Sequence, residues 1–278
     1  MSNGNQREKT CRLDLGLYRG EVAAEYDDPL FVDAISNPEE LWDRPDVQLL
    51  LDTRNRVGTI RVFMSSGLDR YIVVKEFSPR GIIRLKSLLQ PSKAVRAWRG
   101  ARALKERGLG TASPAAYLEK RRRGLVERSF FFADRIEGAE EIRSLFRRLS
   151  AADLEPVLSA LGAFLSQCHD TGILHRDLSD GNVLVKREAS GRAVFYLLDT
   201  NRIRLRTKLG GFRRAKNLIR LGVPAALQRY FLRTYFGEKP FRWAHWYWYR
   251  MNKVVFAGYV GLKKKLRLRQ IARFLRIQ

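Results

Sequence analysis

The chain has 278 residues, 53 of them Lys or Arg and 29 Asp or Glu, for a formal net charge of +24. That length holds one enzyme-sized core and little beyond it, and two distant cysteines, Cys11 and Cys168, suggest neither a disulfide framework nor a zinc site. The polar N-terminus lacks the apolar segment of a secretory signal and no apolar run is long enough for a membrane span, so a reducing, cytoplasmic setting is expected.

Up to residue 46 the chain reads as an accessory segment, in which Ser36-Asn37-Pro38 begins a short helix, Glu39 to Asp43. Arg54 to Val62 reads as strand, turn and strand with a single glycine, Gly58. Tyr71-Ile72-Val73-Val74-Lys75-Glu76-Phe77 is a β-branched strand carrying one lysine. A helix is predicted over Ser92 to Arg107, with Ser92 as its N-cap and Gly108 as its stop. Strands follow around Ala115–Leu118 and Ser129–Phe132. After Gly138 the pattern is mostly helical, and Leu154 to Cys168 has clear helical apolar periodicity. Gly172-Ile173-Leu174 then leads into a charged loop. Val183-Leu184-Val185 leaves it as a short strand, Glu188 to Arg192 forms a turn, and Val194 to Asp199 is an apolar run ending in an acid.

The charged loop, His175-Arg-Asp-Leu-Ser-Asp-Gly-Asn182, matches the H-R-D-L-x-x-x-N catalytic loop of protein kinases at every fixed position. An aspartate and an asparagine five residues apart on a tight loop can serve the two ends of one phosphoryl transfer. Asp177 would accept the proton of an attacking hydroxyl, and Asn182 would hold magnesium on the ATP phosphates. Asp199, delivered by a buried strand, is the expected second magnesium ligand. Lys75 matches the strand lysine that neutralises the α- and β-phosphates. His175 is expected to hold the loop's shape, and His169 to pack at a helix end.

Ser92-Lys-Ala-Val-Arg-Ala-Trp98-Arg99 and Leu104-Lys-Glu-Arg-Gly108-Leu-Gly110-Thr-Ala-Ser-Pro114, taken with the loop and Asp199, resemble the bacterial lipopolysaccharide core kinases, the Kdo and heptose kinases. The resemblance runs from about Leu51 to the C-terminus. It implies an α+β, two-lobed protein-kinase-like fold, with a small β-rich N-lobe at 47–133, a hinge at 134–138 and a larger helical C-lobe at 139–278. It implies ATP and Mg2+ as cofactors and, as acceptor, a Kdo or heptose hydroxyl of the lipopolysaccharide inner core or its lipid A precursor, with the position left open. Roles carry over onto Lys75, Asp177, Asn182 and Asp199. By the same resemblance the Asp134 carbonyl and the Ile136 amide would meet adenine, and the strand–turn–strand with Gly58 would cover the phosphates.

The sequence departs from the kinase pattern in several places. The phosphate-covering stretch has one glycine instead of G-x-G-x-x-G. The 92–107 helix offers only Glu106, in its last turn, as a partner for Lys75. Ser179 stands where many protein kinases have lysine. Thr200 and Asn201 follow Asp199 in place of Phe-Gly, and no A-P-E motif follows. The last of these departures favour a small-molecule or lipid-sugar kinase over a regulated protein kinase. Other readings are a kinase for protein, RNA or another small molecule, and a kinase-like membrane scaffold. A scaffold has no physical need for Lys75, Asp177, Asn182 and Asp199 together.

Charge is unevenly spread. Residues 201–278 hold 21 Lys+Arg and a single acid, Glu238, so nearly all the excess follows the catalytic motifs. Such asymmetry points to a polyanionic partner. Arg202 to Arg220 has eight cations and no acid, which suits either a solvated face or a grip on acceptor phosphates and carboxylates. Phe241 to Arg250 packs three tryptophans into six residues, and Lys263 to Arg276 reads as a basic amphipathic helix. Both fit a protein peripheral on the anionic face of the inner membrane, and both also fit a terminal helix docked on the C-lobe. No RNA-binding fold signature accompanies the basic segment, which argues against nucleic acid.

Overall fold

The structure, a computed structural model, describes residues 9–52, 55–237 and 241–265. Arg54 and most of the basic helix expected over 263–276 lie outside the described residues. The chain divides into two compact units. One runs to Gly108 and includes Ala112–Glu137, and the other holds Leu109–Thr111 and the chain from Gly138 on.

The first unit is built on a seven-stranded antiparallel sheet. Its strands are β1 (Thr10–Leu15), β2 (Tyr18–Ala23), β3 (Gln48–Asp52), β4 (Arg56–Phe63), β5 (Asp69–Phe77), β6 (Pro114–Arg122) and β7 (Leu125–Asp134), in the order β1-β2-β6-β7-β5-β4-β3. Helix α1 (Pro29–Ser36) starts where Asp28 accepts hydrogen bonds from the Leu30 and Phe31 amides, with proline at its first position. After a single turn, α2 (Gly81–Leu85), helix α3 spans Lys93–Lys105 and is capped by Ser92, whose Oγ accepts from the Val95 amide at 3.1 Å. α3 buries Leu104 and a helical stripe, Ala94, Ala97, Trp98 and Ala101, that shares one core cluster with Phe130, Phe132, Ile72 and Val74 of the sheet. β7 is buried at every position from Ser129 to Ala133, as a strand at the middle of a covered sheet must be. The segment ahead of residue 47 contributes two strands to this sheet, with β2 pairing to β6 from Arg19↔Glu119 to Val22↔Ala116.

The second unit is rich in helices. β8 (Glu140–Glu141), β10 (Val183–Arg187) and β11 (Ala193–Leu197) form a small sheet in the order β11-β10-β8, and β9 (Ile173–His175) pairs with β12 (Ile203–Leu205). Around them lie α4 (Ile142–Arg148), α5 (Ala151–Asp170), α6 (Gly211–Asn217), α7 (Gln228–Phe236) and α8 (Trp243–Lys265). α5 is capped by Ser150 and buries Leu154, Val157, Leu158, Leu161, Leu165 and Cys168 along one face. Burial pushes the Cys168 thiol up to about 12, which leaves it inert as a nucleophile. Gly172, just after α5, has φ +79°, and a Cβ there would lie 2.1 Å from the Arg206 carbonyl oxygen. Only glycine lets the chain turn into β9 that closely against β12.

Candidate active site

In the second unit the His175–Asn182 loop is held from both ends. β9 carries His175, which pairs in register with Ile203 of β12, and Leu178 is buried beneath the loop. Asp177, Asn182 and Asp199 are all half-buried. The Asp177 amide donates to His175 Nδ1 at 3.2 Å, so the other ring nitrogen, Nε2, is the donor to the Leu198 carbonyl at 2.9 Å. That is a neutral imidazole, and burial lowers its pKa below the ordinary value in agreement with it. His175 therefore ties the loop to the end of β11 and does not transfer protons, in keeping with the shape-holding part expected from sequence.

Asn182 completes the loop. Its Nδ2 donates to the Asp177 carbonyl at 2.8 Å, and its own carbonyl accepts from the Leu198 amide at 2.9 Å. Asn182 and Asp199 are thereby linked through one backbone bond at the head of the β10–β11 hairpin. Asp199 is one of two described non-glycine residues with positive φ, at φ 51° and ψ 46°. The side-chain amide oxygen of Asn182 and the carboxylate of Asp199 are both hard oxygen donors. Among the described residues no cluster of three or more His, Cys, Asp or Glu could hold a metal. A donor pair of this kind fits Mg2+, which takes one or two protein oxygens and fills its remaining positions with phosphate and water.

Arginines serve the loop's acids. Arg143 Nη2 lies 3.1 Å from Asp180 Oδ1, and Arg220 Nη1 lies 2.6 Å from Asp177 Oδ1. Behind the loop, His169 bridges Tyr235 and Asn217, and Asn217 Nδ2 donates to the His175 carbonyl at 2.9 Å. His169 thus anchors a polar chain from α5 to the loop as well as packing. His245 is a packing residue, stacked on Phe236 with ring centroids 4.8 Å apart. Sequence reasoning did not single out Arg143, Asn217 or Arg220. Each reaches the loop from far along the chain, and the basic run that ends at Arg220 gave no sign of its pairing with Asp177.

In the first unit Lys75 is half-buried on β5, in register with Val57 of β4 and Phe131 of β7. Its neighbour Glu76 points to the other face, buried, with Arg128 at 3.4 Å and the Ser78 hydroxyl donating to it at 3.0 Å. Glu106 caps the end of α3, 4.0 Å from Arg107. Gly58 lies within β4, where a Cβ would come 2.9 Å from the Trp42 ring. Packing under that tryptophan is reason enough for its small size. The Asp134 amide donates to the Ser113 carbonyl at 2.9 Å and its carboxylate meets Arg70 at 3.2 Å. Ile136 follows just beyond β7, half-buried.

Comparison with known proteins bears on the fold and the family. The solved structure of WaaP in complex with acyl carrier protein is similar to the chain with a TM-score of 0.54 and 19% identity, over 86% of this chain and 95% of that one. The Rio2 kinase–ADP/Mg2+–phosphoaspartate complex from Chaetomium thermophilum gives a TM-score of 0.46 at 15% identity, over 88% of this chain and 70% of that one. No curated protein matches the sequence. The fold is protein-kinase-like, as the sequence implied. The sequence profile of the Lipopolysaccharide kinase (Kdo/WaaP) family matches residues 76–241, well over half of the chain. The chain therefore belongs to the lipopolysaccharide kinase (Kdo/WaaP) family and is a phosphotransferase.

Proposed function

We propose that the protein transfers the γ-phosphoryl group of ATP to a Kdo or heptose hydroxyl of the lipopolysaccharide inner core, working at the cytoplasmic face of the inner membrane. The observation that carries this reading is the bonded loop. Asn182 donates to the Asp177 carbonyl and accepts from the amide of Leu198, the residue before Asp199, within a lipopolysaccharide kinase family chain. Asp177 orients the acceptor hydroxyl and takes its proton. Asn182 and Asp199 would hold Mg2+, which neutralises charge on the phosphates when bound. Lys75 grips the α- and β-phosphates, and the Asp134 carbonyl and Ile136 amide receive adenine. Positioning and charge neutralisation supply most of the acceleration in such a reaction.

The membrane part of the reading rests on α8. Trp243, Tyr247, Met251, Val255, Tyr259 and Leu262 recur every three or four residues on one side of that helix, and each is more than half exposed. A stripe of this kind in a segment with one acid and 21 cations suits an anionic headgroup layer. No described helix is long and apolar enough to cross a membrane.

An acceptor panel tests the proposal: inner-core lipopolysaccharide, a generic protein and a generic RNA, each incubated with labelled ATP and Mg2+. Label in the lipopolysaccharide alone is the expected result. Label in protein or RNA instead would replace the acceptor, and a protein that neither binds ATP nor transfers phosphate would be a scaffold.

A further inference from the structure

The candidate base is held by a residue 43 positions downstream, outside its own loop. Arg220 ends the turn Leu218–Arg220, and its guanidinium approaches Asp177 Oδ1 to 2.6 Å. The Asp177 side chain is 25% exposed and that of Arg220 39%, so water partly screens the pair. Arg220 is itself fixed from α8. Its guanidinium lies over the Phe256 ring, 5.3 Å from the centroid. The carbonyls on either side of it, those of Ile219 and Leu221, accept from Lys253 Nζ at 3.3 and 2.8 Å. The segment continues along the loop's other acid, since a Cβ at Gly222 would come 2.4 Å from Asp180 Oδ2. Asp180 has its own arginine, Arg143. Within the loop, the position where many protein kinases carry a lysine is Ser179.

We infer that Arg220 is the positioning residue of the base, supplying from the 218–222 segment the cation that Ser179 cannot. Its guanidinium forms a close ion pair with Oδ1 of Asp177, which leaves Oδ2 for the acceptor hydroxyl. Guanidinium suits this task because it stays charged and its planar fork gives up little freedom on binding. In the transfer step the hydroxyl proton goes to Asp177 and the acceptor oxygen bonds to the γ-phosphorus. The bond from that phosphorus to the β–γ bridging oxygen breaks and ADP leaves. Arg220 exchanges no proton. The inference rests on the proposed role of Asp177 and holds for any hydroxyl acceptor.

The test compares wild type, Arg220→Ala, Arg220→Lys, Asp177→Asn and the Arg220→Ala/Asp177→Asn double variant. Phosphate transfer to inner-core lipopolysaccharide and slow ATP hydrolysis, in which water is the acceptor, are both measured. A misplaced catalytic group costs about 100-fold, so Arg220→Ala should lower kcat by about that factor in both reactions, with the KM for ATP little changed. Added guanidinium should restore part of the loss, and Arg220→Lys should fall between. In the Asp177→Asn background, Arg220→Ala should cost nothing further, since the two act as a unit. Wild-type kcat in Arg220→Ala would overturn the inference. So would a loss that adds to that of Asp177→Asn, or one matched by weaker MgATP binding. If wild type hydrolyses ATP but leaves the lipopolysaccharide unlabelled, the acceptor reading fails, and Arg220 is still judged from the hydrolysis rates.

Discussion

Asp199 occupies a left-handed backbone conformation that aspartate and asparagine tolerate better than most side chains, although non-glycine residues held there store about 1–3 kcal/mol. Strain of this size kept at the end of a buried strand is consistent with a carboxylate aimed for chemistry. Asp199→Asn keeps the backbone preference and removes the charge. It should melt within a few degrees of wild type while needing at least about tenfold more Mg2+ for half-maximal transfer, since ligand charge sets much of a hard cation's affinity. Wild-type Mg2+ dependence would remove Asp199 from the metal site. At this scale the sequence was legible where chemistry and chain proximity coincide. The spacing from Asp177 to Asn182 and the strand before Asp199 both follow from local patterns. Arg220, Asn217 and Arg143 were not legible, because an ion pair or hydrogen bond between distant residues leaves no periodicity to read.

α3, α5 and the β10–β11 hairpin lie close to where apolar spacing, cap residues and turn residues put them. α3 starts after Ser92 as expected, and α5 begins earlier than its first apolar residue because Ser150 caps it. β1 and β2 went unread. Cys11, Leu13 and Leu15 of β1 alternate with Arg12 and Asp14, but so short a stretch was passed over within a segment read as accessory; β1 pairs with β2 at the edge of the sheet. β12 was hidden in the same way inside a run read for its charge. α8 is one helix across the aromatic segment and the apolar stretch after it, and its Lys253 is half-buried. Burial, with Arg250 adding to it, pulls the Lys253 pKa from its ordinary 10.5 down to about 8. Below about pH 8 the folded and unfolded chains both carry that proton. Between about 8 and 10.5 the unfolded chain keeps it and the folded one has released it, so this group makes stability rise with pH. The difference in unfolding free energy between wild type and Lys253→Met, followed by urea titration, should therefore grow in favour of wild type from pH 8 to 10.5. A flat difference would mean that Lys253 is not desolvated.

Over the whole molecule, charge and α8 argue for a surface-bound enzyme. Each Lys or Arg near an anionic bilayer contributes about 1 kcal/mol, so even a few of the 21 cations after residue 200 outweigh a weak apolar anchor. The protein should sediment with phosphatidylglycerol-containing vesicles and not with pure phosphatidylcholine. Binding should weaken as salt is raised from about 0.1 M to about 1 M, which shortens the screening length from about 10 to about 3 Å. Replacing Trp243, Tyr247 and Tyr259 with serine should reduce the salt-resistant part of that binding. Equal sedimentation with both vesicle types would leave α8 without a lipid role. The measurement that bears most directly on the central claim is transfer of labelled phosphate from ATP to purified inner-core lipopolysaccharide by wild type and by Asp177→Ala. Wild type should label the sugar region, and Asp177→Ala should lose that label while its melting temperature still rises with MgATP. Undiminished labelling by Asp177→Ala would contradict the account.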